Sequence, residues 1–231
     1  MAKKFKLVLQ ILRYLPQILY FNFHYLPFSQ AIHLPILLYK PRFIKCKGHI
    51  QFDCPVKFGM FRFGYLTTSV YPNTGITWEN HGGTVIFHGN GYIGNDSYIS
   101  LGHKTIVEFG TDFRSSAGLK LISYRGVKFG IGTRLGWGVI ILDTNFHPLY
   151  DLKNNKFKDA SGKITIGNYN WLGTQCKVMH STITPDRCIF GMNTLITRGC
   201  IKESNCVMGG NPVTVIARDV IRDYNHDKEE I

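Results

Sequence analysis

The chain is predicted to be an all-β solenoid, a parallel coil of short strands around a triangular core, on three observations. Residues 166–213 divide without a gap into eight hexads, IGNYNW, LGTQCK, VMHSTI, TPDRCI, FGMNTL, ITRGCI, KESNCV and MGGNPV. Six of the eight leading positions are large and apolar (Ile166, Leu172, Val178, Phe190, Ile196, Met208), with Thr184 and Lys202 the exceptions. The fifth position holds a compact residue, Asn170, Cys176, Thr182, Cys188, Thr194, Cys200 and Cys206, until Pro212 ends the series. Such a period fits neither the about 3.6 of a helix nor the alternation of a single strand, so the repeating object is a strand with its turn. Three units close a triangular coil of about eighteen residues, stacked on the next at roughly 4.8 Å.

In this arrangement the leading and fifth side chains point inward together, the small one where a corner leaves little room. Gly167, Gly173 and Gly191, second in their hexads, are expected to supply unusual backbone dihedrals. Leu172, Phe190 and Met208 should stack as one ladder, with Cys188 over Cys206.

In chain order, residues 1–43 form a basic and hydrophobic extension. Leu7, Ile11, Tyr14, Leu15 and Ile18 share a helical face, and Lys3, Lys4, Lys6 and Arg13 are placed to meet lipid phosphates, so the segment reads as an interfacial membrane anchor. The competing reading packs it along the prism. Arg13, Pro16, Asn22, His24, Pro27 and Pro35 break the apolar runs, which excludes a bilayer-spanning helix. The lysines before an apolar run have the outline of a signal peptide, but no small-residue cleavage site follows Leu12. Residues 44–218 are assigned to the solenoid. Within them 48–129 are β-rich with an irregular frame: Ile93 to Tyr98 is a clean hexad, the frame slips, and Phe109-Gly110 restarts it, as expected of coils of unequal length. The frame recovers at Ile131-Gly132, passes Trp137-Gly138 and reaches Asp143. Residues 144–163 break the repeat and read as a loop ejected at a corner, where an insertion disturbs neither adjoining coil. Residues 219–231 are a short tail.

The length suits one domain. The net charge of +12 and pI near 9.5 call for a polyanionic partner: nucleic acid, an anionic membrane or a phosphate-rich cofactor. No RNP, zinc-finger or helix-turn-helix signature is present, so nucleic acid is set aside. Four of six cysteines occupy the inward hexad position and read as reduced, buried thiols of a cytoplasmic protein. Cys46 and Cys54 match no metal motif.

The hexads, with Trp171-Leu172-Gly173 opening a coil and Gly209-Gly210-Asn211-Pro212 closing the series, resemble the hexapeptide-repeat O-acetyltransferases, the group that includes maltose and galactoside acetyltransferases. The resemblance is good from about Gly130 to Arg218. Upstream, Tyr71-Pro72-Asn73, Trp78-Glu79-Asn80 and Gly82-Gly83-Thr84 look more like capsular or surface-polysaccharide acetyltransferases. Left-handed coiling is what the family implies; the hexad pattern does not set the hand, and parallel crossovers are otherwise right-handed.

The resemblance implies transfer of acetyl from acetyl-CoA to a sugar hydroxyl, with imidazole as general base. Asn145-Phe146-His147-Pro148-Leu149 falls where the family carries its histidine before a proline, so His147 is the candidate. Asp143, preferred, or Asp151 is a candidate to orient its ring. His180 is expected to face outward, His24 and His33 to belong to the anchor and His226 to the tail; His81 and His88, beside Gly82-Gly83, stand in reserve near an acceptor groove. The zinc-dependent γ-carbonic-anhydrase type shares the architecture, but its close histidine pair is missing, so no metal is expected. For coenzyme A, bound in the family between subunits along the C-terminal coils, the matching positions are Trp171, Gly173, Thr174, Gly191, Met192, Thr197 and Arg198. Thr214 stands where the family often has an arginine, and Arg218 or Arg222 is the candidate replacement for a phosphate contact. The implied assembly is a homotrimer with a carbohydrate acceptor, peripheral to the inner face of the membrane. Alternatives are an N-acyltransferase on an amino sugar and a non-catalytic scaffold module.

Overall fold

The computed structural model describes residues 9–199 and 202–224. Lys3, Lys4, Lys6 and Leu7 of the expected anchor, Cys200 and His226 lie outside the described residues.

Parallel strands wind into three faces. The first carries Ile36–Leu38, Phe61–Tyr65, Gly91–Gly94, Phe113–Ser115, Arg134–Leu135, Trp171–Leu172, Ile189–Phe190 and Cys206–Gly209, closed by the antiparallel strand Thr214–Arg218. The second carries Pro41–Cys46, Ile76–Asn80, Ser97–Leu101, Lys120–Ser123, Ile140–Leu142, Lys177–Met179 and Leu195–Ile196. The third carries His49–Phe52, Thr84–Phe87, Ile106–Phe109, Val127–Phe129 and Ile164–Ile166. The chain is thus the expected all-β parallel solenoid, and its first strand starts before residue 44.

Register shows why the hexad frame is clear only late. Trp171 pairs with Ile189 and Ile189 with Val207, each eighteen residues on. Upstream, Tyr92 pairs with Arg114 and Arg114 with Arg134, steps of 22 and 20 residues. The wider early coils are filled by a column of rings. Phe52, Phe87, Phe109 and Phe129 stack on the third face with centroids 4.9, 5.4 and 5.3 Å apart, while the inward positions of the later coils hold Leu172, Val178, Phe190 and Ile196. The predicted ladder holds, since Leu172, Phe190 and Met208 pair in register and are fully buried. Cys176, Cys188 and Cys206 are buried free thiols, and burial pushes the Cys176 thiol above its ordinary range.

The glycines serve a different purpose from the one expected. Left-handed backbone sits at the fourth hexad position, at Tyr169, Gln175, Ser181, Arg187, Asn193 and Asn205. Gly173 has no such φ; a Cβ there would lie 2.8 Å from the Phe190 carbonyl oxygen, so the close approach of the next coil demands glycine. At Gly191 the nearest atom would be 3.5 Å away, an ordinary contact.

The N-terminal segment closes the open end of the prism. Helix α1 (Leu15–Tyr25), with Pro16 in its first turn, buries Ile18, Phe21, Asn22 and Tyr25. Asn22 acts as a substitute strand: its amide donates to the Ile36 carbonyl (2.8 Å) and its side-chain oxygen accepts from the Ile36 amide (3.1 Å). Phe21 packs edge-on against Trp78 at 5.2 Å, and the Trp78 indole donates to the Tyr25 hydroxyl at 3.0 Å. Ile18, expected on a lipid-facing stripe, is wholly buried in the core instead, while Leu12, Leu19, Phe23, Phe28 and Ile32 are exposed. Among the described residues no helix is long and apolar enough to cross a membrane.

Candidate active site

The loop 144–163 leaves the second face after Ile140–Leu142 and rejoins the third at Ile164–Ile166, at the corner between them. Its neck is tied by the Thr144–Ser161 bridge, by Asn145 N donating to Ala160 O (2.6 Å) and by Gly162 N donating to Asp143 O (3.0 Å). Its outer half is an antiparallel hairpin, Leu149–Asp151 with Lys156–Lys158. Asp151 accepts from the Asn154 side chain and from the amides of Asn154 and Lys153, which holds its carboxyl below the usual range and turns the hairpin tip.

His147 is displayed just beyond the neck. Phe146 adopts a left-handed φ of 59°, its amide donates to the Thr144 hydroxyl (3.0 Å), and the His147 amide donates to Asn145 O (2.7 Å). A left-handed non-glycine residue costs about 1–2 kcal/mol, and the Phe146 ring offsets part of it by packing edge-on against Tyr124 at 5.1 Å. The turn leaves His147 exposed.

Asp143 does not fill the role expected of it. Its carboxylate is fully buried and accepts from Ser123 Oγ (2.8 Å) and from the amides of Tyr124 (2.7 Å), Arg125 (2.8 Å) and Gly126 (2.8 Å). Those four donors turn the preceding coil directly beneath the loop, so Asp143 anchors the platform rather than the imidazole. Sequence reasoning passed over His180. It is half-buried rather than outward, and its Nε2 accepts from the Asn145 side-chain Nδ2 at 3.2 Å while Nδ1 faces Ser181 Oγ at 3.2 Å. This ties the residue two before His147 to the next coil. The only signal in the sequence was that His180 directly follows the strand Lys177–Met179, which stacks on Ile140–Leu142 at the root of the loop.

The reserve histidines are engaged elsewhere: His81 with Glu79 at 2.9 Å, and His88 between Asp53 (2.5 Å) and Glu108 (3.1 Å). No group able to hold a metal ion is found among the described residues.

The positions matched to coenzyme A divide between places. Trp171 points outward from the first face; Gly173, Thr174, Gly191 and Met192 form the corner between the first and second faces in two successive coils. Thr197 and the exposed Arg198 follow Leu195–Ile196 at the corner between the second and third. Arg218 is on the closing strand with Nε bonded to Glu203 at 2.9 Å, while the Arg222 guanidinium lies 4.6 Å over the Trp171 ring. The corner that bears His147 is opposite the first face. In a single chain, therefore, His147 and Trp171 point away from each other.

No known protein-family profile matches the chain. It is 30% identical over 148 residues, 64% of each protein, to an uncharacterized 24.8 kDa protein in the cps region of Klebsiella pneumoniae. It is 25% identical over 138 residues to the polysialic acid O-acetyltransferase of Escherichia coli O1:K1 / APEC, which covers 59% of this chain and 44% of that enzyme. The chain thus spans less than two thirds of the first relative's length and under half of the second's. The crystal structure of the polySia-specific acetyltransferase NeuO superposes on 82% of this chain and 92% of its own with a TM-score of 0.50 at 14% identity, so the two share a fold.

Proposed function

We propose that the protein is an O-acetyltransferase that moves an acetyl group from acetyl-CoA to a sugar hydroxyl of a surface or capsular polysaccharide or its precursor. The observation that carries this reading is the inserted loop: a strained, braced turn presents His147 to solvent on a fold shared with an acetyltransferase. The match to a polysialic acid O-acetyltransferase adds the substrate class. In this role the imidazole takes the hydroxyl proton as the sugar oxygen attacks the thioester carbonyl, then returns it to the departing thiolate. The donor residues fit such a ligand. Trp171 and Met192, 36% and 71% exposed, offer apolar surface to a pantetheine chain, and Arg198, an exposed cation at the His147 corner, meets the phosphates from the neighbouring chain.

Because His147 and Trp171 face apart within one chain, the reading requires a neighbour's first face to meet the His147 corner, as in a cyclic homotrimer. The hairpin supports this, since Leu149, Tyr150, Leu152 and Phe157 are exposed apolar side chains beside His147. The reading sets the site in the cytoplasm, with peripheral contact to the inner membrane face through the exposed Leu12, Leu19, Phe23 and Phe28 of the N-terminal segment.

The test is acetyl transfer from labelled acetyl-CoA to capsular glycans, with and without a free amine on the sugar. Transfer to an amine-free glycan supports the reading; transfer confined to amino sugars would make it an N-acyltransferase, and no donor binding would make it a scaffold. For the membrane contact, the triple variant L12S/F23S/F28S should fail to sediment with anionic vesicles that retain the native chain. Equal sedimentation counts against the cap as an anchor.

A further inference from the structure

The outward positions of the first face form one column in register: Arg62 pairs with Tyr92, Tyr92 with Arg114, Arg114 with Arg134, and Arg134 with Trp171. Three arginines and two rings thus line the prism for about 20 Å at the strand spacing. The lower end opens into a shallow depression that Lys57 and Phe58 share with Arg62, Tyr92 and Arg114. At the upper end Arg222 lies over Trp171 and, at 5.2 Å, over Tyr224, whose ring also receives Arg134 at 5.1 Å. Asp112 is bonded to both Arg114 and Arg134, which fixes those guanidinia on the face; Arg134 is buried there, and Arg62 and the part-exposed Arg114 are the column's solvent-facing cations. The other faces are balanced differently. On the third, Glu108 meets Lys128 and His88; on the second, Glu79 meets His81.

We infer that this column is the binding track for an acidic polysaccharide, holding the acceptor chain along the prism and delivering one sugar to the Trp171 end. The track deepens the acetyltransferase reading and rests on it for the meaning of that delivery. Guanidinium groups recognise carboxylates by paired N–H donors. The ring of Tyr92 offers apolar surface to the C–H side of a sugar ring. A track about 20 Å long spans several sugars, so affinity should grow with chain length as further carboxylates engage and fall with salt.

The experiment uses the full chain and three polymers: polysialic acid as polycarboxylate, dextran as neutral polysaccharide, and duplex DNA as a non-glycan polyanion. Polysialic acid is expected to bind at least tenfold more tightly than dextran and to resist displacement by DNA. The variant K57E/R62E, in which both side chains are exposed and Arg62 donates to the Gly59 carbonyl three residues back, should weaken polysialic acid binding tenfold or more while acetyl-CoA affinity stays unchanged. Lys120→Glu, on the second face, should alter neither. Dextran binding as well as polysialic acid, DNA displacing it readily, or native binding by K57E/R62E would each overturn the track. A chain that binds polysialic acid through Lys57 and Arg62 but never engages acetyl-CoA would sink the transferase reading alone.

Discussion

At the scale of single residues the two acidic and basic candidates separate cleanly. His147→Ala should lower kcat by roughly 10²–10⁴ while leaving acetyl-CoA affinity nearly unchanged, since the donor positions lie on other elements. Asp143→Asn should act on stability rather than on the chemistry. It turns an NH₂ group toward donors that now meet a carboxylate, and unmet buried donors cost about 1–3 kcal/mol. A thermal melt should show a clear loss of Tm for Asp143→Asn and almost none for His147→Ala. Should Asp143→Asn melt like the native chain yet lose turnover as His147→Ala does, its carboxylate orients the ring after all. Cys176 supplies a check on the frame. Burial raises its pKa, so it stays a thiol near neutral pH, and as pH rises past the ordinary thiol range the folded state holds that proton while the unfolded chain releases it. Labelling of the native protein at pH 8 should leave Cys176 unmodified while Cys46 and Cys54, both partly exposed, react.

Elements are joined by backbone approach, and there the glycines divide. Gly173→Ala should destabilise the protein by about 1–3 kcal/mol, because its Cβ meets main chain of the next coil that cannot swing aside. Gly191→Ala should change stability little, since nothing comes nearer than 3.5 Å. Equal denaturation midpoints for the two would show that the coils slide to accommodate a methyl group. The same scale governs the N-terminal cap. Asn22→Leu removes the partner of both backbone groups of Ile36, on the first strand of the first face, and should cost about 1–3 kcal/mol. Removing residues 1–27 should therefore expose Trp78 and the prism end, with aggregation rather than simple release from a membrane as the outcome.

For the whole molecule the decisive property is that His147 and Trp171 occupy opposite sides of one prism. If neighbouring chains complete the site, His147→Ala and Trp171→Ala should each be inactive alone yet regain partial activity when co-expressed, because some mixed assemblies pair an intact His147 with an intact Trp171. Recovery measured on purified mixed trimers would confirm a shared site. Failure to recover, or a fully active monomer by light scattering, would place the chemistry within one chain.

The hexads at 166–213 were enough to determine the solenoid, its inward ladder and the burial of Cys176, Cys188 and Cys206, because a period of one strand plus one turn leaves few other ways to bury a leading apolar residue. That the Asn145-to-Leu149 run stands on the ejected loop, with His147 exposed on it, was legible from its place between the last framed hexad and the Trp171 coil. The early coils were harder to read, because wider turns of 20 and 22 residues break the six-residue frame and a column of phenylalanines fills the added cross-section. What Asp143 bonds, where His180 lies, why Gly173 must be glycine and how Asn22 stands in for a strand were decided only by the tertiary structure. Each depends on which atoms of a different coil come within hydrogen-bonding or van der Waals distance, and spacing along the chain carries no record of that.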